Sequence, residues 1–194
     1  NYMTLCASLI GVTSLIFSAK GNPIGQLLMV GFSLLYGIIS YTFAYYGEMI
    51  TYLGMSTPAA IAAVISWLKH PYKDTSEVEI SRLTKKQLII GIISTVAVTV
   101  LFYFILGALG NANLLVSTFS VTTSFFAAYL TYYRSPYYAL GYAANDLVLI
   151  ILWVMAAIED ISYLPMVICF VMFFVNDIYG FISWKRMQKR QQQK

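Results

Sequence analysis

The sequence predicts an all-α membrane protein of seven transmembrane helices, and three observations carry that prediction. Of its 194 residues 59% are hydrophobic and only 10% charged, with mean hydropathy +0.73, whereas soluble domains hold about 25% charged residues. The apolar residues gather into seven runs, each near the roughly 20 residues that cross about 30 Å of hydrocarbon as a helix. The runs lack the alternating pattern of a membrane barrel, and inside lipid each backbone N–H needs an internal partner, so they are read as helices.

The first span is placed at 2–19 and stops at G-N-P, residues 21–23, because glycine and proline break a helix. The second runs over 24–46 to Y-G-E at 46–48, and the third over 49–68, ending in S-W-L-K at 66–69. A basic stretch leads into the fourth span, 87–109, and G-N-A-N at 110–113 separates it from the fifth, 113–133. Ser135-Pro136 opens the sixth, 136–158, and Glu159-Asp160 divides it from the seventh, 161–184. Cys6 and Cys169 lie inside apolar runs and read as small packed hydrophobes rather than a disulfide.

Charge sets the topology. All twelve basic residues, in Lys20, the 69–86 cluster, Arg134 and the tail from Lys185, fall on one side of a seven-helix path. The opposite connections hold Glu48, Glu159 and Asp160 without Lys or Arg, so the positive-inside rule places the basic face and the C-terminus in the cytoplasm. Asn1 is then outside, and a chain that starts on Asn is expected to have an upstream segment, an eighth helix being one form of it. The net charge of +4 reads as topology and contact with anionic lipid headgroups; no aromatic-plus-basic module points to nucleic acid.

An internal repeat organises the chain. Basic residue and Trp are 47 positions apart in Lys20–Trp67 and 50 apart in Arg134–Trp184, and both stretches end in Ser-Trp followed by basic residues. One helix separates the two triplets, so both cross in the same direction, a parallel 3+1+3 repeat. The predicted units are a first three-helix bundle (1–68), a basic linker plus connecting helix (69–112), a second bundle (113–184) and a basic tail (185–194). Such folds hold their solute between the bundles near mid-membrane.

Two Asn-Asp pairs, Asn145-Asp146 and Asn176-Asp177, interrupt the sixth and seventh runs, each pair followed by six residues and then Trp153 or Trp184. Asn145 is eight residues from Tyr137 and Asn176 eight from Trp184, which at 1.5 Å per residue puts both at a depth of about 12 Å. An ionisable group there costs about 2.5 to 3.5 kcal/mol or more, so it is expected to face the protein interior or a watery cavity. Asn and Asp also serve as interhelical hydrogen-bonding groups, Trp184 beside Lys185 doubles as an interface anchor, and Tyr129 doubles as a packing residue. In the hydroxyl run S-T-F-S-V-T-T-S, 117–124, Thr118, Thr122 and Ser124 are the candidates to line a cavity, the alternative being bonds to their own helix turns. Gly54, Pro58 and Pro165 are candidate hinges or static kinks.

Several functions are excluded. There is no G-x-x-x-x-G-K-[ST], no Cys/His metal spacing and no G-x-S-x-G, so ATP hydrolysis, a metal site and serine hydrolysis have no residues to run on, and no cofactor is expected. Every Lys lies at a helix end, which removes a mid-membrane Schiff base. An intramembrane aspartyl protease using Asp146 and Asp177 is the one enzyme alternative, but its Y-D, G-x-G-D and P-A-L motifs are missing.

Over essentially its whole length the chain resembles the PnuC-type vitamin transporters, more narrowly the bacterial nicotinamide riboside transporters. The resemblance rests on the 3+1+3 layout, A-K-G-N at 19–22, Y-G-E at 46–48, N-A-N at 111–113, Asn145, and N-D-x-Y-G-x-x-x-W at 176–184. It implies a SWEET-like pair of three-helix bundles in the inner membrane, and facilitated diffusion made one-way when a cytoplasmic kinase phosphorylates the nucleoside, without direct contact. It also implies that Asn145, Asn176 and nearby aromatics bind the vitamin, with Asp146 or Asp177 holding ribose or offsetting ring charge and Trp153 stacking on the ring; Thr122, Tyr129 and Trp184 complete the candidate set. Relatives carry W-x-x-W where this chain has Tyr138 and Tyr142, which leaves stacking at those positions open. Thiamine, another cationic vitamin, is the alternative cargo, and a homo-oligomer stays open.

Overall fold

The structure is a computed structural model that describes residues 2–42 and 46–193. Each long apolar run forms a helix: α1 (Tyr2–Ala19), α2 (Ile24–Thr42), α3 (Tyr46–Thr51), α4 (Thr57–Lys69), α5 (Lys85–Ala108), α6 (Leu114–Tyr132), α7 (Tyr138–Glu159) and α8 (Leu164–Gln192). A π-helical turn, Tyr52–Ser56, joins α3 to α4, so the two make one continuous segment, Tyr46–Lys69. Among the described residues six segments are long and apolar enough to cross a membrane, and α1 adds a shorter apolar stretch, Leu5–Ala19.

Three boundaries differ by three residues or more from those read off the sequence. The end of the second predicted span, 43–45, lies outside the described residues, and the third begins at Tyr46 rather than 49. The seventh begins at Leu164 after a 3-10 turn and runs eight residues past Trp184, because Met187 and Gln188 are still buried against the rest of the molecule and Lys185 Nζ donates to Gln188 Oε1 at 3.1 Å. A polar tail continues a helix when one stripe of it keeps a packing surface.

Two proline positions act differently. Pro58 has no N–H to donate four residues back, and the helix answers by stretching one turn: Thr57 N–H bonds Tyr52 O, five residues earlier, and Thr57 Oγ1 donates to the same carbonyl at 2.9 Å. Pro165 instead lies in the first turn of α8, where a missing N–H costs nothing, so it starts a helix rather than kinking one.

Small residues set the helix contacts, as expected where lipid supplies no hydrophobic drive between helices. A Cβ on Gly25 of α2 would lie 2.3 Å from Ser18 Oγ of α1, and Ser14 Oγ donates to Gly25 O at 2.8 Å. Gly91 of α5 lies directly under the Tyr129 ring of α6. Across the two halves, α1 packs on α8 and α4 on α6, while α5 packs on α6.

The end of the molecule that carries the basic residues is sealed. Trp67 and Trp184 are fully buried, their rings 5.2 Å apart, with Tyr138, Val78 and Met187 packed around them. Trp67 Nε1 donates to Thr131 O at 2.9 Å and Ser66 Oγ to Tyr132 O at 2.6 Å, so the Ser-Trp of α4 caps the last carbonyls of α6. Trp184 Nε1 donates to Ser18 O at 2.8 Å and Ser183 Oγ to Ala19 O at 2.7 Å, so the Ser-Trp of α8 caps the last carbonyls of α1 in the same way. Helix C-termini leave carbonyls without intrahelical donors, and here the opposite half supplies them.

The 70–84 loop straps this seal. Val78, fully buried, donates its N–H to Gly21 O at 2.9 Å and accepts from Gln191 Nε2 at 3.1 Å. Arg190 pairs with Glu77, and Arg134 Nε donates to Glu79 O at 3.0 Å. Burial pulls the Arg134 guanidinium below the ordinary arginine range, against the opposing pull of Glu79.

Candidate functional site

At the acidic end a cavity of about 580 Å³ opens between the halves. Its mouth carries Glu159, Asp160 and Tyr163 at the α7–α8 turn and Asn111 and Asn113 at the start of α6. Its wall is built from Tyr36, Glu48, Tyr52 and Ser56 on one side and Ser117, Ser120, Ser124, Asn145 and Trp153 on the other. A smaller cavity of about 110 Å³ continues inward, sharing Tyr52, Ser56, Ser124 and Asn145 with the first and adding Ser18, Gln26, Thr131, Tyr138, Tyr142, Asp146 and Asp177. Ser18, Thr131 and Tyr138 also belong to the sealed layer, so the two cavities lead toward the Trp pair and stop there.

Asn145 is the polar residue common to both cavities that the surrounding helices hold most firmly. It is buried on α7, and its Oδ1 lies 2.9 Å from Thr123 Oγ1 and 3.2 Å from Ser120 Oγ on α6. Two hydroxyl donors at the carboxamide oxygen leave the amide N–H groups to donate elsewhere. Asp146 and Asp177, 4% and 5% exposed, meet across α7 and α8 on the smaller cavity. Asp146 Oδ2 has no hydrogen-bond partner there.

The other sequence candidates sit as follows. Trp153 lines the large cavity with its ring 5.6 Å from that of Tyr163. Asn176 is half-buried and lines neither cavity. Thr122 turns to α5, with its hydroxyl 2.8 Å from that of Thr99, and the hydroxyl of Tyr129 donates to Gln87 O at 2.6 Å. Trp184 belongs to the seal and lines neither cavity. Ser124 lines both, whereas Thr118 is buried off them. Among the described residues no Lys, Arg or His lines either cavity.

Sequence reading missed the contribution of the first half. Tyr36, Tyr52 and Glu48 line the large cavity, with the Tyr36 and Tyr52 ring centroids 4.5 Å apart and Phe32 beside both. The sequence places Glu48 in a connection between spans, but its helix starts at Tyr46 and carries it into the wall. The signal available was Pro58, whose π turn places both Tyr52 and Ser56 on the cavities.

Comparison with known proteins meets this geometry. The family model described as nicotinamide mononucleotide transporter matches residues 1–186. The nicotinamide riboside transporter PnuC of Neisseria mucosa is 29% identical over 196 residues, covering 98% of this chain and 74% of that protein. The crystal structure of the vitamin B3 transporter PnuC superposes with a TM-score of 0.80 at 27% identity, covering 98% of this chain and 83% of the other. These relatives are transporters, which leaves the aspartyl protease alternative without support. A helical membrane chain with a polar cavity between its halves, matched over nearly its whole length by transporters, belongs to the nicotinamide mononucleotide transporter family and, within it, to the PnuC type.

Proposed function

We propose that the protein carries nicotinamide riboside across the bacterial inner membrane by facilitated diffusion, and that a cytoplasmic kinase traps the product by phosphorylation. The observation that carries this reading is the large cavity. Its volume of about 580 Å³ lies within the roughly 300 to 1,000 Å³ of small-molecule sites, and its lining mixes aromatic rings, hydroxyls, carboxamides and carboxylates with no cation among the described residues. The riboside is a flat cationic pyridinium with a carboxamide and a ribose. Asn145 donates to the carboxamide or ribose oxygens, Trp153 stacks on the ring near the mouth, and Asp146 and Asp177 wait below it. Asn176 enters this reading through its N-D-x-Y-G motif rather than through the cavity wall.

The same wall decides against the mononucleotide. A phosphate would meet Glu159 and Asp160 at the mouth and then the half-buried Glu48, with no Lys or Arg among the described lining residues to offset it, and an unmatched like charge beside a partly desolvated carboxylate is disfavoured. The family is named for the mononucleotide and the Neisseria relative for the riboside; the charge of this cavity favours the riboside.

Alternating access follows from a 3+1+3 arrangement of α1–α4 against α6–α8, with α5 as the connector, in a SWEET-like pairing. The matched Ser-Trp caps, each tying the end of one triplet to the first helix of the other, support that reading. The conformation is open at the acidic end and shut at the basic end, which the positive-inside rule assigns to the cytoplasm together with the C-terminus.

Thermal unfolding of the purified chain with the riboside, the mononucleotide and thiamine tests the cargo. A bound ligand at a hundred times its Kd stabilises by about 2.7 kcal/mol, so the riboside is expected to raise Tm and the mononucleotide to leave it unchanged. A rise with thiamine alone reassigns the cargo, and unchanged riboside affinity in both Asn145→Ala and Asn176→Ala removes the site assignment.

A further inference from the structure

We propose that Glu48, backed by Tyr36 and Tyr52, is the residue that selects a cationic cargo in this site. The inference rests on the riboside reading and gives the first half a share of the site: Glu48 and its tyrosines meet the positive charge of the ring that Trp153 stacks on from the second half, which also meets the hydroxyls and carboxamide.

Geometry supplies the argument. Glu48 is in the first turn of α3, half-buried, and lines the large cavity. The hydroxyl of Tyr36 faces its carboxylate from α2. The Tyr36 ring is tilted against Tyr52 with centroids 4.5 Å apart, and Phe32 closes the cluster at 5.7 Å from Tyr36 and 6.2 Å from Tyr52. A carboxylate beside tyrosine faces is a cation-binding arrangement, because both the charge and the ring quadrupoles attract a positive group. Among the described residues Glu48 makes no ion pair and no cation lines the cavity, so a positively charged cargo brings the missing counter-charge with it. The other two cavity acids differ: Glu159 and Asp160 are exposed at the mouth, where water screens them. Glu48 is half-buried and faces the Tyr36 hydroxyl instead.

The π turn makes the arrangement. A regular helix through 52–57 would rotate everything before Pro58 by about one residue's turn, some 100°, and Tyr52 would leave the wall that Ser56 occupies. Thr57 holds the turn by bonding Tyr52 O and lying 2.9 Å from Ser33 Oγ of α2.

Two probes of nearly one shape separate charge from fit: the oxidised riboside, a cation, and its reduced dihydropyridine form, which is neutral. Affinities of both for the purified full-length chain are measured in the parent, Glu48→Gln, Glu48→Asp and Tyr36→Phe proteins. Glu48→Gln is expected to weaken the oxidised riboside about tenfold, the scale of one partly desolvated cation contact, and to change the reduced form less than twofold. Glu48→Asp, which keeps the charge, is expected to keep the preference for the oxidised form even if both affinities fall, and Tyr36→Phe to lie between. Equal losses for both probes in Glu48→Gln, or no loss for either, overturn the role of Glu48 while leaving riboside binding intact. A parent protein that binds neither probe overturns this inference and the riboside reading together.

Discussion

At the scale of single residues, Asn145 separates a ligand contact from a packing contact. Its carboxamide oxygen is held by two α6 hydroxyls, so its amide group is pre-oriented, and Asn145→Ala is expected to weaken riboside binding by about 5- to 30-fold, the worth of one buried hydrogen bond of about 1 to 2 kcal/mol. Isothermal titration of the detergent-solubilised protein reads this directly; a change under twofold rejects Asn145 as a cargo contact. Thr122→Val, one position from Thr123, is expected to spare affinity and to lower stability by about 1 kcal/mol, because its hydroxyl bonds Thr99 across α5–α6. This contrast shows what was readable in the run 117–124. Its polarity in a lipid-embedded helix announced a lined cavity, but Ser117, Ser120 and Ser124 form the cavity stripe while Thr118 and Thr122 face away from it. Helical spacing alone yields several stripes. Which one faces the cavity is set by the α5–α6 pairing, and the threonine of α5 that fixes it lies 23 residues upstream.

At the scale of elements, the apolar runs told where the helices are and the turn residues told where they stop, since hydrocarbon leaves the backbone no alternative. What periodicity does not encode is a helix that changes its own pitch. Pro58 was visible as a hinge or a kink, and its consequence is a π turn that puts Tyr52 and Ser56 on the same cavity wall. Restoring the N–H with Pro58→Ala permits a regular helix, so the variant is expected to unfold at a Tm equal to or above the parent while riboside uptake into proteoliposomes falls several-fold. Stability and transport moving down together point instead to simple damage of the fold. Pro165 offers the matched control: it occupies the first turn of α8, and Pro165→Ala is expected to leave uptake unchanged.

At the scale of the whole molecule, the alternating access and the orientation proposed above require that the two ends exchange their states, and the sealed end states its own condition for opening. Trp67 and Trp184 touch each other at the centre of the layer, yet each is anchored by its indole N–H to the far half of the chain, over sequence separations of 64 and 166 residues. In the sequence Trp184 beside Lys185 reads as an interface anchor and Trp67 as its counterpart in the repeat, and nothing short of the fold discloses that the two meet. Opening this end breaks two indole bonds and two serine bonds at once and exposes both rings, so the Trp layer stabilises only the closed state. Truncating Trp184 to Ala removes a fully buried side chain worth about 3 to 5 kcal/mol from that state and little from the open one. The balance between them then moves by on the order of a hundredfold or more. Ala139, buried at 0% exposure within the layer, reports the change. In a background with Cys6 and Cys169 replaced by Ser, Ala139→Cys in inside-out vesicles is expected to resist a membrane-impermeant maleimide, and to label many-fold faster once Trp184→Ala is added. By the reciprocity of the two caps, Trp67→Ala is expected to do the same. Equal labelling with and without the tryptophans means the layer is static packing, and the passage from the large cavity to the basic face must then run elsewhere.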